Sequence, residues 1–117
     1  SLGGNIFMKV LFILGMIILM SMLVFGFTSG FSDYTATAYC LRGKTASGHR
    51  TQRGIIAADP RRLKLGATVY IRAGKYSGKY VVRDTGANIK GRRIDVWLPS
   101  RAECLTFGRK SVTLKVI

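Results

Sequence analysis

Apolar and polar positions divide the chain into two unlike parts. Residues 10–27 read VLFILGMIILMSMLVFGF, an apolar run without a charge. Residues 33–117 instead carry their apolar positions in short groups between glycine-dotted polar stretches. In this second part Tyr34-Thr35-Ala36-Thr37-Ala38-Tyr39-Cys40 alternates β-branched or aromatic residues with small ones, which predicts a strand. Residues 42–54 (RGKTASGHRTQRG) are polar and predict a loop. Ile55-Ile56-Ala57-Ala58 predicts a short buried strand, ended by Asp59-Pro60 because proline has no N–H to give to a ladder. A tight turn over 61–66 closes at Gly66. Strands follow over 67–72 and 79–84, joined by a hairpin connection at 73–78. Residues 85–91 (TGANIKG) form a glycine-bounded loop before a strand over 92–97. A short helix over 99–107 has Pro99 in its first turn and Gly108 as its stop, and the last strand spans 110–116.

Two of these stretches share a grammar. The strand before Asp59-Pro60 leads through a turn to Gly66 and a strand. The strand holding Asp95 leads through Pro99 and a helix to Gly108 and a strand. The repeat predicts two similar halves about a pseudo-two-fold axis. Short, evenly spaced strands predict a small all-β barrel, whose closure removes exposed edges.

The apolar run predicts an N-terminal helix with one of two fates. Lys9 before it and Thr28-Ser29-Gly30 after it give the layout of a cleaved export signal, although no A-x-A site is present. Its length also meets the roughly 17–25 residues of a retained membrane anchor. Residues 1–32 are assigned to this segment, with Met8-Lys9 as its natural start and residues 1–7 upstream of it. Both fates place the domain at 33–117 outside the cytoplasm, secreted, periplasmic or membrane-anchored. Cys40 and Cys104 lie near the two ends of that domain. An oxidising compartment favours a disulfide between them, and two free thiols are the alternative. One histidine and no CxxC leave no zinc pattern.

Charge narrows the partners. The chain has 19 Lys and Arg against 5 Asp and Glu, a formal +14. Such a field attracts polyanions. In the envelope these are teichoic acids, anionic headgroups and peptidoglycan carboxylates rather than nucleic acid. The other reading is a solvated basic surface, since no compact block of five or six cations occurs.

Under that bias each acid needs a local reason. Alternation in Arg93-Ile94-Asp95-Val96-Trp97 sends Ile94 and Val96 to a core and puts Arg93, Asp95 and Trp97 on the other face. A carboxylate beside an aromatic ring suits a sugar surface, where the acid transfers a proton. A plain surface pair between Arg93 and Asp95 is the competing reading, contributing ~0–1 kcal/mol. Asp84, ending a strand before Thr85-Gly86, is either a turn residue bonding the following backbone or the charged neighbour of Asp95. Asp59 is expected to accept N–H groups of the turn after it. His49, alone in a polar loop, reads as a surface histidine.

Taken in order, several motifs resemble one family: Thr35-Ala36-Thr37-Ala38-Tyr39, Thr45-Ala46-Ser47-Gly48, Gly54-Ile55-Ile56-Ala57-Ala58-Asp59-Pro60, Leu65-Gly66, Asp84-Thr85-Gly86, Ile89-Lys90-Gly91 and Arg93-Ile94-Asp95-Val96. The set resembles the 3D domain, named for three aspartates. That domain occurs in stationary-phase and resuscitation-type cell-wall proteins and is similar to the catalytic barrel of the membrane-bound lytic transglycosylase A family. The resemblance spans residues 34–117. It implies a six-stranded double-psi β-barrel with one or two short helices. It also implies cleavage between N-acetylmuramic acid and N-acetylglucosamine in peptidoglycan, with a 1,6-anhydro product and no metal or cofactor. By motif position Asp95 is the expected acid/base, Asp84 its supporting carboxylate and Asp59 the third member. Thr45 and Lys90 are expected to line the groove with Arg93 and Trp97. The expected partner is the glycan strand and the expected state a monomer. Where the family often has a second glycine, this loop reads Gly86-Ala87-Asn88-Ile89, which alters how it would meet substrate. Larger relatives grip glycan with added domains, so a non-catalytic binding or wall-loosening module is the alternative.

Overall fold

The computed structural model describes residues 8–16 and 30–117, which fall into two separate units divided after Gly30. In the first, residues 8–16 are helical. The rest of the apolar run, and with it the choice between signal and anchor, lies outside the described residues. No helix among the described residues is long and apolar enough to cross a membrane.

The second unit is a closed barrel of six strands. They are β1 (Ser32–Tyr39), β2 (Ile55–Ala58), β3 (Thr68–Arg72), β4 (Gly78–Asp84), β5 (Arg93–Trp97) and β6 (Lys110–Val116), joined in the ring order β1-β5-β2-β4-β3-β6. β1 with β5 and β2 with β4 are parallel pairs, and the other four pairings are antiparallel. Exchanging β1 with β4, β2 with β5 and β3 with β6 maps this set of pairings onto itself. That is the pseudo-two-fold expected from the repeat, and it gives the double-psi arrangement.

Alternation builds the core. Tyr34 and Ala36 of β1, Ile56 and Ala58 of β2, Val69 and Ile71 of β3, Val82 of β4, Ile94 and Val96 of β5, and Val112 and Leu114 of β6 point inward. Period-two spacing leaves Thr35, Thr37 and Tyr39, and likewise Arg93, Asp95 and Trp97, on the opposite face. Phe107 closes one end of the core and meets Tyr76 edge-on at 4.9 Å between ring centroids.

The helix differs from the sequence expectation at its start. It spans Arg101–Phe107 (α1), and Pro99 lies before it rather than in its first turn. Ser100 sets the boundary: its hydroxyl accepts from the Glu103 N–H at 3.1 Å, satisfying one of the free amides of the first turn. Gly108, at φ 63°, ends the helix as expected. The hairpin connection between β3 and β4 carries a 3₁₀ turn at Gly74–Tyr76.

Candidate functional site

Strand register assembles the site. Thr37 of β1 pairs with Asp95 of β5, Asp95 with Ala57 of β2, and Ala57 with Asp84 of β4. One row therefore crosses four strands in the order Thr37, Asp95, Ala57, Asp84. The two acidic residues stand two strands apart, about 9–10 Å between Cα atoms at ordinary strand spacing. The methyl group of Ala57 is the floor between them.

Asp84 reaches this row through a bulge. Val82 pairs with Ile56, but Ala57 then pairs with Asp84, leaving Arg83 as the extra residue. Without the bulge Arg83 would face Ala57. The unpaired carbonyl of Arg83 does not go unused, because it accepts from Ser47 N–H at 3.1 Å. The adjacent Ala46 N–H donates to Asp84 Oδ1 at 2.9 Å, as does Thr85 N–H at 2.9 Å. The Tyr39 hydroxyl donates to Asp84 Oδ2 at 3.3 Å. All three groups donate, so both Asp84 oxygens act here as acceptors. Asp84 is thus the turn residue, and it lies in the same row as Asp95 but two strands away, with β2 between them.

Asp95 has a different setting. It is half-buried, and Thr37 Oγ1 donates to its Oδ1 at 3.0 Å. Burial raises its pKa above the usual carboxylate range. The Thr37 hydrogen bond and the Arg93 charge oppose the shift, and the Asp84 charge adds to it. A half-buried acid that holds its proton more tightly than usual is equipped to donate it.

Asp59 lies beyond β2 and is 2% exposed. It takes a bidentate contact from Arg61, at 3.1 and 2.9 Å, together with Arg61 N–H at 3.1 Å and Gly91 N–H at 2.9 Å. The Arg61 contact, then the Gly91 amide, holds its pKa well below the usual range. Its expected bond to the following turn is present. In addition it fastens the end of the 85–91 loop. Gly86 lets that loop close: a Cβ there would lie 2.9 Å from Ile89 Cγ1.

The other expected residues divide. Arg93 shares the outer face with Asp95 and donates to the Asn88 carbonyl at 3.2 Å, bracing the loop where it departs from the family pattern. Lys90 is exposed on the same loop. Thr45 is buried, and its hydroxyl is spent on Ser47 Oγ at 3.1 Å, within a turn closed by Thr45 N–H to the His49 carbonyl at 2.8 Å. Trp97 requires correction as an open sugar platform. It is 4% exposed, its Nε1 donates to the Leu41 carbonyl at 2.8 Å, and Arg42 stacks 5.8 Å from its centroid. Alternation gave its face correctly, but the chain leaving β1 folds over the ring. His49 is exposed as expected, with Nδ1 3.0 Å from Ser47 Oγ.

The two cysteines of the expected disulfide lie side by side. Cys40 and Cys104 are free thiols. Burial first, then the adjacent Cys40, pushes the Cys104 thiol up. Among the described residues no group of three or more His, Cys, Asp or Glu is placed to hold a metal.

Sequence reasoning missed Thr37, Tyr39 and the Ala46 amide. The first two were within reach, because alternation from Ala36 already placed Thr37 and Tyr39 outside the core. The phenol of Tyr39 has its pKa pushed far up by burial and then by Asp84, so it remains a donor.

Comparison with known proteins places this geometry. The 3D domain matches residues 54–117. The chain is 37% identical over 92 residues to the cell wall-binding protein YocH of Bacillus subtilis (strain 168), covering 71% of this chain and 31% of that protein. The chain thus spans about a third of that relative's length. Among solved structures, the Streptomyces papain inhibitor matches with TM-score 0.61 at 17% identity, covering 76% of this chain and 96% of that one. The lytic transglycosylase MltA of E. coli matches with TM-score 0.56 at 21% identity, covering 65% of this chain and 27% of that one, and it has also been solved with bound chitohexaose. At these identities the structural matches establish the double-psi barrel and not its use.

Proposed function

The chain belongs to the 3D domain family, and on that premise we propose that it is an exported peptidoglycan lytic transglycosylase. It cleaves the bond between N-acetylmuramic acid and N-acetylglucosamine and leaves a 1,6-anhydro end. The observation that carries this reading is the half-buried, proton-retaining Asp95 set in one row with Asp84 across the small Ala57.

The reaction runs on one acid. Asp95 begins protonated and gives its proton to the glycosidic oxygen as the bond from C1 to that oxygen breaks. The C6 hydroxyl of the muramic sugar then forms a bond to C1. Its proton passes to the Asp95 carboxylate, which restores the starting state, and no water is consumed. Thr37 fixes the Asp95 oxygen it touches, leaving the other for the sugar. Asp84, held by Ala46, Thr85 and Tyr39, sustains the proton affinity of Asp95 and offsets positive charge developing at C1. Lys90 and the 85–91 loop, tied down by Asp59 and Arg93, border the groove. The apolar run at 10–27 serves as the export segment.

Digestion of purified peptidoglycan, with products read by mass spectrometry, tests the reading. Anhydro-muropeptides are expected from the wild type and none from a folded Asp95→Asn variant. Products carrying an added water would identify a hydrolase and overturn the transglycosylase mechanism. A second reading, a wall-binding or wall-loosening module without bond cleavage, is favoured by the name of the YocH relative. Its mark is glycan binding that survives Asp95→Asn, with no products from either protein.

A further inference from the structure

A cleft of 260 Å³ lies beside the end of β5 and takes no part in the reaction above. Arg53, Lys75, Lys79, Tyr76, Tyr80 and Trp97 are among its lining residues. Trp97 stands two residues beyond Asp95 on β5, about 7 Å of strand rise.

The charge in this cleft is unbalanced. No carboxylate lines it. Arg53 has its own partner outside, Glu103, at 2.7 Å. Neither Lys75 nor Lys79 makes an ion pair among the described residues. Two ammonium groups, Lys75 and Lys110, approach the ring of Tyr76, with Nζ atoms 5.4 and 5.1 Å from its centroid. Like charges gather here with few acids to offset them, because Asp59, Asp84 and Asp95 are engaged elsewhere.

The aromatic walls are fixed. The Tyr80 hydroxyl donates to the Tyr76 carbonyl at 2.6 Å, Tyr76 packs edge-on against Phe107, and Trp97 is tied to Leu41. Tyr76 and Tyr80, part-exposed and held in place, offer apolar surface at little entropic cost above the covered Trp97, and the Lys75 and Lys79 ammonium groups beside them favour anions. The C–H faces of a sugar or polyol match the rings, and phosphate or carboxylate substituents match the lysines.

From this we propose that the cleft binds an anionic saccharide or polyol polymer, one that carries phosphate or carboxylate groups along its chain. The site is separate from Asp95 and stands whether or not the protein cleaves glycan.

Trp97 is the chain's single tryptophan, so its fluorescence reports on the cleft directly. The full chain is titrated with a glycerol-phosphate oligomer, an oligogalacturonate and neutral chitohexaose. A saturable change with one or both anionic probes, and a weaker one with chitohexaose, is expected. The stronger anionic probe identifies the substituent as phosphate or carboxylate. The double variant Lys75→Gln/Lys79→Gln should weaken binding by about tenfold or more, as for lost hydrogen bonds to a charged group. Arg62→Gln/Lys64→Gln removes the same charge outside the cleft and should change affinity by about twofold at most. Asp95→Asn should bind the anionic probes as the wild type does. Equal weakening by both double variants would reduce the effect to overall charge and overturn the proposal. So would the absence of a saturable signal, or equal competition by an oligonucleotide of matched charge.

Discussion

The two halves of the barrel present the same backbone positions with different side chains. Under the pseudo-two-fold, Asp95 of β5 corresponds to Ala57 of β2, and Thr37 of β1 corresponds to Asp84 of β4. One of the two equivalent pairs therefore joins a carboxyl to a hydroxyl, and the other joins a carboxyl to a methyl. The first carboxyl is half-buried beside a weak donor and holds its proton. The second sits just past a bulge that the first pair lacks, and meets two backbone amides and a phenol. A symmetric scaffold supplies the row. Asymmetric side chains divide the labour along it, and Ala57 leaves the row open at its centre.

The comparison breaks first at Asp95. Replacing it with asparagine should lower the release of anhydro-muropeptides by on the order of 10²–10⁴-fold, the range for a lost general acid. Folding should not suffer. Its pKa is raised on folding, so the charged form is disfavoured in the native state, and the stability this group contributes at low pH is lost as pH rises through its folded value. Asp95→Asn should therefore melt at the same or a higher temperature than wild type at neutral pH, which scanning calorimetry checks.

Asp84→Asn tests the other pair. It removes the neighbouring charge that helps raise Asp95, so turnover should fall by roughly 10- to 100-fold. The pH limit of the remaining activity should move to lower pH, because Asp95 then surrenders its proton sooner. An unchanged pH profile would leave Asp84 as a turn residue only.

Making the halves more alike should also cost activity. Ala57→Val adds bulk at a position 4% exposed. It should destabilise the fold by ~1–3 kcal/mol, as overpacking does, and narrow the row between the two acids. Product formation should drop even at temperatures where the variant is fully folded.

The smallest effect on chemistry is expected at Asp59, which braces the loop from outside the row. Its folded pKa is lowered, so its stabilisation is present above the unfolded value and is lost as pH falls through the folded one. Asp59→Asn should melt below wild type at neutral pH, and the gap should close as pH drops beneath about 4. A gap that persists in acid would show that the Asp59 charge is not what holds Gly91 and Arg61.

Much of this was legible in the residues. Alternation alone gave the six strands to within two residues at each end and put Asp95 on the outer face. Asp59-Pro60 declared a turn because the proline ends the ladder. The bulge at Arg83 left no mark, since Lys79 to Asp84 reads as an even strand, and so the alignment of Asp84 with Ala57 had to come from the structure. Trp97 shows the opposite case. Its face was legible but its burial was not, because cover comes from Leu41 and Arg42, which are distant in sequence. The start of α1 was missed because Pro99 suggested a first turn and the Ser100 cap, one residue later, decided it.

The most direct test of the unequal carboxyls is a site-resolved ¹³C titration of the aspartate side chains in the wild type and in Asp84→Asn. The account predicts that Asp95 titrates above about 3.9, the value of an unperturbed aspartate, and that its midpoint falls when Asp84 loses its charge. An Asp95 midpoint at or below that value, or one that Asp84→Asn leaves unmoved, would contradict it.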